Sequence, residues 1–198
     1  NEELWFSLGD CFRELDENEN VRVCILSGFG SNFSSGIDIK FLQSIGLELD
    51  KLDCEGRKRE LLREKILKLQ DSFTQLEKCR KPIIAAVHGA CIGGGLDLIC
   101  ACDMRFSTLD AFFQIKEIDF GFAADVGTLQ RIPKLIPQGI VNELAYTGRQ
   151  FSGQEAYKLG LVNNCYADRN KMISSIRKIA KQIASKPPLG IRGVKEIL

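Results

Sequence analysis

Residues 81–106 read KPIIAAVHGACIGGGLDLICACDMRF, and this stretch is the most informative about the fold. The apolar run that follows Pro82 is typical of a strand that is buried on both faces of a sheet. Three consecutive glycines interrupt the run, and the apolar segment LDLICACD after them predicts a short buried helix. The stretch therefore predicts a strand, a glycine turn and a helix at the centre of the protein.

Strands and helices alternate on both sides of this centre. Apolar side chains recur at helical spacing near the amino terminus, over residues 57–79 and over residues 168–186. The segments VRVCILSG, MRFST, AFFQI and LVNNCYA predict strands, and residues 46–56 predict an irregular connection. Ser152 and Glu155 form a capping box at the start of a further short helix. The alternation predicts an α/β fold with largely parallel strands and with helices on both sheet faces.

The charge balance limits the classes of partner. The chain has 198 residues, with 27 Lys and Arg against 26 Asp and Glu, so its formal net charge is +1. A chain of this length is typical of one domain, and we expect residues 1–198 to form a single one. Balanced charge argues against a nucleic-acid partner, because polyanions are attracted by an excess of positive charge. No apolar run reaches the length of about 18 residues that would predict membrane insertion.

The residue inventory also limits the chemistry. His88 is the single histidine, and the 8 cysteines are scattered without a CxxC pair. Zinc sites with several histidines and two-histidine iron sites are therefore excluded. A serine hydrolase triad would have to use His88, and no G-x-S-x-G elbow accompanies it. We expect free thiols in a reducing compartment and a chemistry that needs neither a metal ion nor a redox cofactor.

The glycine turn offers backbone amides to a ligand. Gly93, Gly94 and Gly95 have no Cβ, so a bound group can approach the chain closely. Amides at the start of a helix favour an anion or a developing oxyanion, and the loop Ser35–Asp38 offers a second such amide. Taken alone, each feature is better explained by tight packing or helix capping. Two facing amides would instead form an oxyanion hole.

Three carboxylates follow in the same part of the chain. Asp97 lies in the first helical turn after the glycines, Glu117 follows the strand AFFQI, and Asp125 lies in the apolar loop GFAADVG. Each of them alone is typical of a helix cap or a surface acid. Carboxylates that crowd an apolar pocket repel one another, and their pKa values rise toward neutrality. Such a group can both take and return a proton.

Four segments together resemble the crotonase superfamily, also called the enoyl-CoA hydratase/isomerase superfamily. In chain order they are FSSGIDI (33–39), KPIIAAVHGACIGGGLDLICACDMRF (81–106), AFFQIKEIDFGFAADVGTLQRIPKLI (111–136) and TGRQFSGQEAYKLGLVN (147–163). The resemblance implies a crotonase-type spiral of ββα units with surrounding helices, assembled as a homotrimer or a pair of trimers. Family members also carry strands ahead of the position of Asn1 and helices beyond that of Leu198, which we expect this chain to lack.

The resemblance implies a role for each candidate residue. The substrate would be an acyl-CoA thioester whose carbonyl oxygen accepts hydrogen bonds from the amides of Ile37 and Gly94, and CoA is part of that substrate. Asp97, Glu117 and Asp125 match the acidic residues of the catalytic site. The residues implied to line the CoA and acyl channel are Ser35, Gly36, Ile37, Asp38, Ile39 and Gly94.

Within the superfamily, the acids most resemble those of isomerases that convert 3,5-dienoyl-CoA into 2,4-dienoyl-CoA in unsaturated fatty acid β-oxidation. Hydratases usually carry Glu at the position of Asp97, and Asp125 is a second discriminating feature. The implied reaction removes a proton from C2, forms a dienolate and returns a proton at C6. Glu117 and Asp125 match this pair of proton carriers, and the resemblance leaves open which of them takes the first proton. It also implies a mitochondrial or peroxisomal location.

Two other interpretations stay open. An enoyl-CoA hydratase or a Δ3-Δ2-enoyl-CoA isomerase would share most of these motifs. A non-catalytic relative that binds CoA or RNA would share the fold, although the balanced charge disfavours RNA.

Overall fold

The fold is built on two sheets. A computed structural model describes residues 1–198. The strands are β1 Cys24–Ser27, β2 Ile83–Val87, β3 Ala90–Ile92, β4 Met104–Thr108, β5 Phe112–Gln114, β6 Phe151–Ser152 and β7 Asn164–Tyr166. The larger sheet is parallel throughout and has the order β1-β2-β4-β7. The smaller sheet has the order β3-β5-β6, in which β3 and β5 are parallel and β6 is antiparallel to β5.

Nine α-helices surround the sheets. They are α1 Glu2–Glu17, α2 Ile39–Asp50, α3 Glu55–Lys78, α4 Gly94–Cys100, α5 Thr128–Arg131, α6 Gln138–Thr147, α7 Gly153–Leu159, α8 Arg169–Ala184 and α9 Pro188–Ile197. Two 3₁₀ turns cover Glu117–Phe120 and Ile132–Lys134. None of the helices combines the length and the apolar composition that crossing a membrane requires.

The chain winds through the two sheets in repeated ββα turns. β2 enters the larger sheet, β3 enters the smaller sheet, and α4 closes the turn. β4, β5 and the 3₁₀ turn at Glu117–Phe120 repeat this path. Ahead of them, β1 is followed by a single parallel bridge between Ser34 and Cys91 and then by α2. The predicted α/β fold, a spiral of ββα units with surrounding helices, is confirmed.

The strand β2 shows why the central sequence is apolar without interruption. Ile83, Ala85 and Val87 belong to the main core on one face of the larger sheet. Ile84 and Ala86 pack on the other face, against the apolar side of α8. Because both faces of the strand are dry, every position must be apolar. The helices lie on both faces of this sheet, as predicted.

The connection predicted over residues 46–56 is too long. Phe41, Ile45 and Leu49 keep a spacing of four residues and pack on the core, so α2 continues past Gly46 to its end at residue 50. The irregular connection is limited to residues 51–54.

The sequence patterns do not predict β3, α6 or α9, although two of these elements carry recognisable boundaries. α6 follows Pro137 and ends at Gly148, whose φ of +60° is typical of a helix terminus. α9 begins at Pro188, because proline fits the first turn of a helix as well as it ends the preceding one. One half of the capping box is confirmed, since the Glu155 amide donates to Ser152 Oγ at 3.1 Å, whereas the Glu155 carboxylate pairs with Arg149.

Candidate active site

A parallel bridge brings two backbone amides together. The Ser34 amide donates to the Ala90 carbonyl at 2.9 Å, and the Ser34 carbonyl accepts from the Ile92 amide at 3.1 Å. The chain after this bridge therefore runs beside the end of β3, and Ile37 and Gly94 line the same space. The Ile37 amide donates no hydrogen bond within the protein, and the Gly94 amide, at the start of α4, has no partner in its helix. Both amides are available to one acceptor.

The three glycines meet three different requirements. Gly93 has a φ of +51°, in the left-handed region that disfavours side chains. A Cβ on Gly95 would lie 2.7 Å from the Cβ of Ser34, so this glycine lets the bridged segment approach α4. A Cβ on Gly94 would lie 3.0 Å from the ring of Trp5. Gly93 permits the backbone turn and Gly95 permits close packing, whereas Gly94 borders the space where a ligand fits.

Two spaces meet at the Ile37 and Gly94 amides. The outer cleft, about 370 Å³ in volume, and the inner cavity, about 260 Å³, share Trp5, Ile37 and Gly94. The other apolar residues of the outer cleft are Leu4, Leu8, Leu26, Phe29, Phe33, Phe73 and Leu98. Those of the inner cavity are Leu42, Ile45, Leu62, Ile66, Leu69, Phe122 and Val126. The two amides thus lie at the junction of two largely apolar compartments.

The inner cavity is lined by all three carboxylates that the sequence singles out, of which Asp97 is the most deeply buried. Asp97 is 1% exposed, and its Oδ1 accepts a hydrogen bond of 2.6 Å from the Thr128 amide. Its Oδ2 is buried without a partner. Burial raises the pKa of Asp97 to about 6, although the contacts with Thr128 act in the opposite direction.

Glu117 lies next to the glycine turn. Its Oε1 is 3.0 Å from the position that a Cβ on Gly93 would take, and its Oε2 is buried without a hydrogen-bond partner. Burial, followed by the neighbouring charge of Asp97, raises the pKa of Glu117 to about 7. Near neutral pH this carboxyl group is therefore populated in both protonation states.

Asp125 lies on the loop between the 3₁₀ turn and α5. Its backbone carbonyl accepts a hydrogen bond of 2.7 Å from Gln70 Nε2 of α3. Partial burial raises the pKa of Asp125, although the residue as a whole remains open to solvent. Asp97, Glu117 and Asp125 thus border one cavity but differ in their access to water, and their roles stay predictions.

Three of the predicted channel residues line neither space: Ser35, Asp38 and Ile39. Gly36 has a φ of +96°, so the chain turns here, and Gly36 and Ile37 line the outer cleft while Ser35 does not. Asp38 caps α2 by accepting a hydrogen bond of 2.9 Å from a backbone amide in its first turn. Ile39 is 57% exposed. Of the predicted segment, Gly36 and Ile37 are the residues that the structure brings to the site.

Trp5 is the largest site residue that the motifs do not predict. Its indole N–H donates to the Leu69 carbonyl at 3.0 Å, and its ring stacks on Phe73 with centroids 4.8 Å apart. The ring forms a wall common to the outer cleft and the inner cavity. One signal was available in the sequence, because this single tryptophan lies on an amphipathic helix.

The chain matches known proteins over its whole length. A family model described as enoyl-CoA hydratase/isomerase matches residues 1–198. The chain belongs to the enoyl-CoA hydratase/isomerase family. Among solved structures, an enoyl-CoA hydratase/carnithine racemase from Magnetospirillum magneticum gives a TM-score of 0.87 at 27% identity, over 100% of this chain and 70% of that chain.

Curated members of the enoyl-CoA hydratase/isomerase family share more sequence with this chain. A peroxisomal Delta(3,5)-Delta(2,4)-dienoyl-CoA isomerase of Arabidopsis thaliana is 48% identical over 93% of the chain. A mitochondrial Delta(3,5)-Delta(2,4)-dienoyl-CoA isomerase of Mus musculus is 45% identical over 98% of the chain. The chain spans 66% and 60% of the length of these two relatives.

Proposed function

We propose that this protein isomerises 3,5-dienoyl-CoA to 2,4-dienoyl-CoA. The observation that carries the proposal is the inner cavity, in which two unpartnered amides and three carboxylates border one apolar space. The names of the relatives from Arabidopsis thaliana and Mus musculus support the same reaction. Separate carboxylates that border one cavity suit a reaction in which protons leave and join different carbons of one chain.

The thioester carbonyl is expected at the junction of the outer cleft and the inner cavity. Its oxygen would accept hydrogen bonds from the amides of Ile37 and Gly94, which favour the dienolate more than the neutral ground state. The CoA arm would then follow the outer cleft, and the unsaturated acyl chain would enter the inner cavity. The apolar side chains of α2 and α3 suit this acyl chain.

We assign the order of proton transfer from the position of Glu117. Glu117 lies beside Gly93 and therefore beside the expected thioester, so we assign to it the removal of the C2 proton. Asp125 lies on the loop that is hydrogen-bonded to α3, and we assign to it the delivery of a proton to C6. Asp97 would hold the loop through Thr128 and raise the pKa of Glu117 by its charge.

An assay with two substrates tests the proposal. Incubation with 3,5-dienoyl-CoA should increase the absorbance of the conjugated 2,4-dienoyl product, and this isomerisation should exceed the hydration of 2-enoyl-CoA. Rapid hydration of 2-enoyl-CoA without isomerisation would replace the proposal by a hydratase. Binding of CoA without turnover of either substrate would favour a non-catalytic relative.

Three further expectations belong to the proposal. The reaction needs no cofactor beyond the CoA of its substrate, so activity should survive chelation, and stoichiometric zinc or iron in the purified protein would contradict this. The protein is expected to form a homotrimer or homohexamer, which mass photometry would test. Its expected location is the mitochondrion or the peroxisome, in line with the names of the two relatives.

A further inference from the structure

Asp125 lies where two spaces of different character meet. It borders the inner cavity, and it also borders a second space of about 360 Å³ on the outer side of its loop, which we call the polar cleft. Besides the loop residues 125–127, the polar cleft is lined by Gln70, Thr74, Glu77, Gln130, Arg131 and Lys134. Since a water molecule occupies about 30 Å³ in the liquid, a polar space of this size holds several.

The other two acids are more buried than Asp125. Asp97 and Glu117 do not border the polar cleft, and each has one carboxyl oxygen that is buried without a partner. Asp97 Oδ1 is already occupied by the Thr128 amide. The hydrogen bonds within the protein do not connect Glu117 to Asp125.

After one turnover of the proposed reaction, Glu117 carries a proton and Asp125 is ionised, the reverse of their states at the start. When the C2–H bond breaks, the proton binds Glu117 and the electron pair enters the dienolate. When the C6–H bond forms, the proton comes from Asp125, which is left ionised. Before the next substrate reacts, Glu117 must lose a proton and Asp125 must gain one.

We infer that Asp125 regains its proton from water in the polar cleft between turnovers, and that this cleft is the proton inlet of the enzyme. The inference rests on the function proposed above. Glu117 releases its proton to water that enters the inner cavity when the product leaves. The proton taken from C2 is therefore not the one delivered to C6.

The contacts around the loop hold the backbone at Asp125 and Val126, and Asp125 borders both spaces. Gln70 Nε2 holds the Asp125 carbonyl at 2.7 Å, and an Arg131 guanidinium N–H donates to the Val126 carbonyl at 3.2 Å. Arg131 is itself fixed by two hydrogen bonds of 2.9 and 2.8 Å to the Glu77 carboxylate. The side chains that line the polar cleft thus also position the loop.

Deuterium labelling over many turnovers tests the inlet. The protein is incubated in D2O with excess unlabelled 3,5-dienoyl-CoA, and the product is analysed by NMR at low conversion. We expect about one deuterium at C6 of each product molecule, because every turnover draws its proton from solvent. Protium at C6 in an active enzyme would overturn the inference alone, whereas a lack of isomerisation would refute the proposed function as well.

Variants that fill the polar cleft give a second measurement. Gln130→Trp places a large side chain in the cleft from an exposed position, and Thr74→Phe fills it from α3. Both should lower kcat several-fold and increase the solvent isotope effect with little change in KM. The matched control is Gln154→Trp, at an exposed site on α7 outside the cleft, which should leave all three quantities unchanged. Unchanged kcat and isotope effect in both cleft variants would contradict the inlet.

Discussion

The two ends of the inner cavity are built by different means. At the glycine turn, the Ile37 and Gly94 amides are fixed by strand pairing and by the start of α4. At the other end, the Asp125 loop is held by side chains, among them Gln70 and Arg131. The first is formed by backbone groups, and the second by side chains at the boundary with water. The contacts to the thioester and the supply of protons can therefore be changed separately.

Removing a proton carrier should have the largest effect. Glu117→Gln or Asp125→Asn should lower turnover by about 10²- to 10⁴-fold, the range typical of a proton-transfer group. KM should change little, because the thioester is held by amides that these substitutions do not touch. Steady-state kinetics with 3,5-dienoyl-CoA measures both quantities.

Asp119→Asn is the matched control for the two carrier variants. Asp119 lies in the same 3₁₀ turn as Glu117 but pairs with Lys116 and borders neither space. A carrier variant that keeps the turnover of this control would exclude its residue from the chemistry.

A side chain added at the glycine turn should destabilise the protein by a steric clash. In Gly95→Ala the new Cβ would meet the Ser34 Cβ at 2.7 Å, so we expect a loss of about 1 to 3 kcal/mol in the free energy of unfolding. Gly46→Ala, in the interior of α2 with nothing within 4 Å of the new Cβ, should instead gain about 0.4 to 1 kcal/mol. Urea unfolding compares the two, and equal effects would show that the glycine turn is not tightly packed.

The partial burial of Glu117 should affect how the stability of the protein depends on pH. Its pKa is raised from 4.5 to about 7, so between these values the folded state keeps a proton that the unfolded state has lost. The free energy of unfolding therefore falls as pH rises through this window, by about 1 to 2 kcal/mol after a discount for partial exposure.

Glu117→Gln should remove this fall. The variant should match the wild type at pH 4.5 and be the more stable of the two above pH 7. Urea midpoints measured across the window provide the comparison. Parallel curves for the two proteins would show that Glu117 is ionised as easily as an exposed carboxyl group.

The smallest effect is expected where a single contact steadies the Asp125 loop. Gln70→Ala removes the 2.7 Å hydrogen bond to the Asp125 carbonyl, a contact worth about 0.5 to 1.5 kcal/mol, and should lower kcat a few-fold with KM unchanged. Gln75→Ala is the control on the same helix, since Gln75 contacts Asp71 and not the loop. A change in KM with kcat preserved would place Gln70 in substrate binding instead of positioning.

The sequence predicts the helices and strands whose apolar residues follow one regular pattern along the whole element. The apolar run of β2 and the long helices have patterns that tertiary contacts reinforce, so their places are predictable. The end of α2 is not, because Gly46 looks like a break until Ile45 and Leu49 are seen packed on the core. Three-residue strands such as β3 are defined by their partner in space, which a local pattern does not contain.

Some residues of the candidate site are also predictable from the sequence, and others are not. Asp97, Glu117 and Asp125 are recognisable by residue type and by motif, and the structure places all three around one cavity. A motif does not separate Ser35 and Asp38 from Gly36, because which of them reach the cleft depends on the turn at Gly36 and on the capping of α2 by Asp38. The wall formed by α2 and α3 looks like ordinary core in the sequence, since a helix that lines a cavity has the same stripe as one that fills it.

The position of Trp5 gives the protein a built-in optical probe. It is the single tryptophan of the chain, so its emission is not mixed with that of another indole. Its ring borders both compartments and touches the glycine turn at the expected thioester position. A ligand that fills either compartment displaces water from the edge of this ring, and the wavelength of its fluorescence reports occupancy without any label.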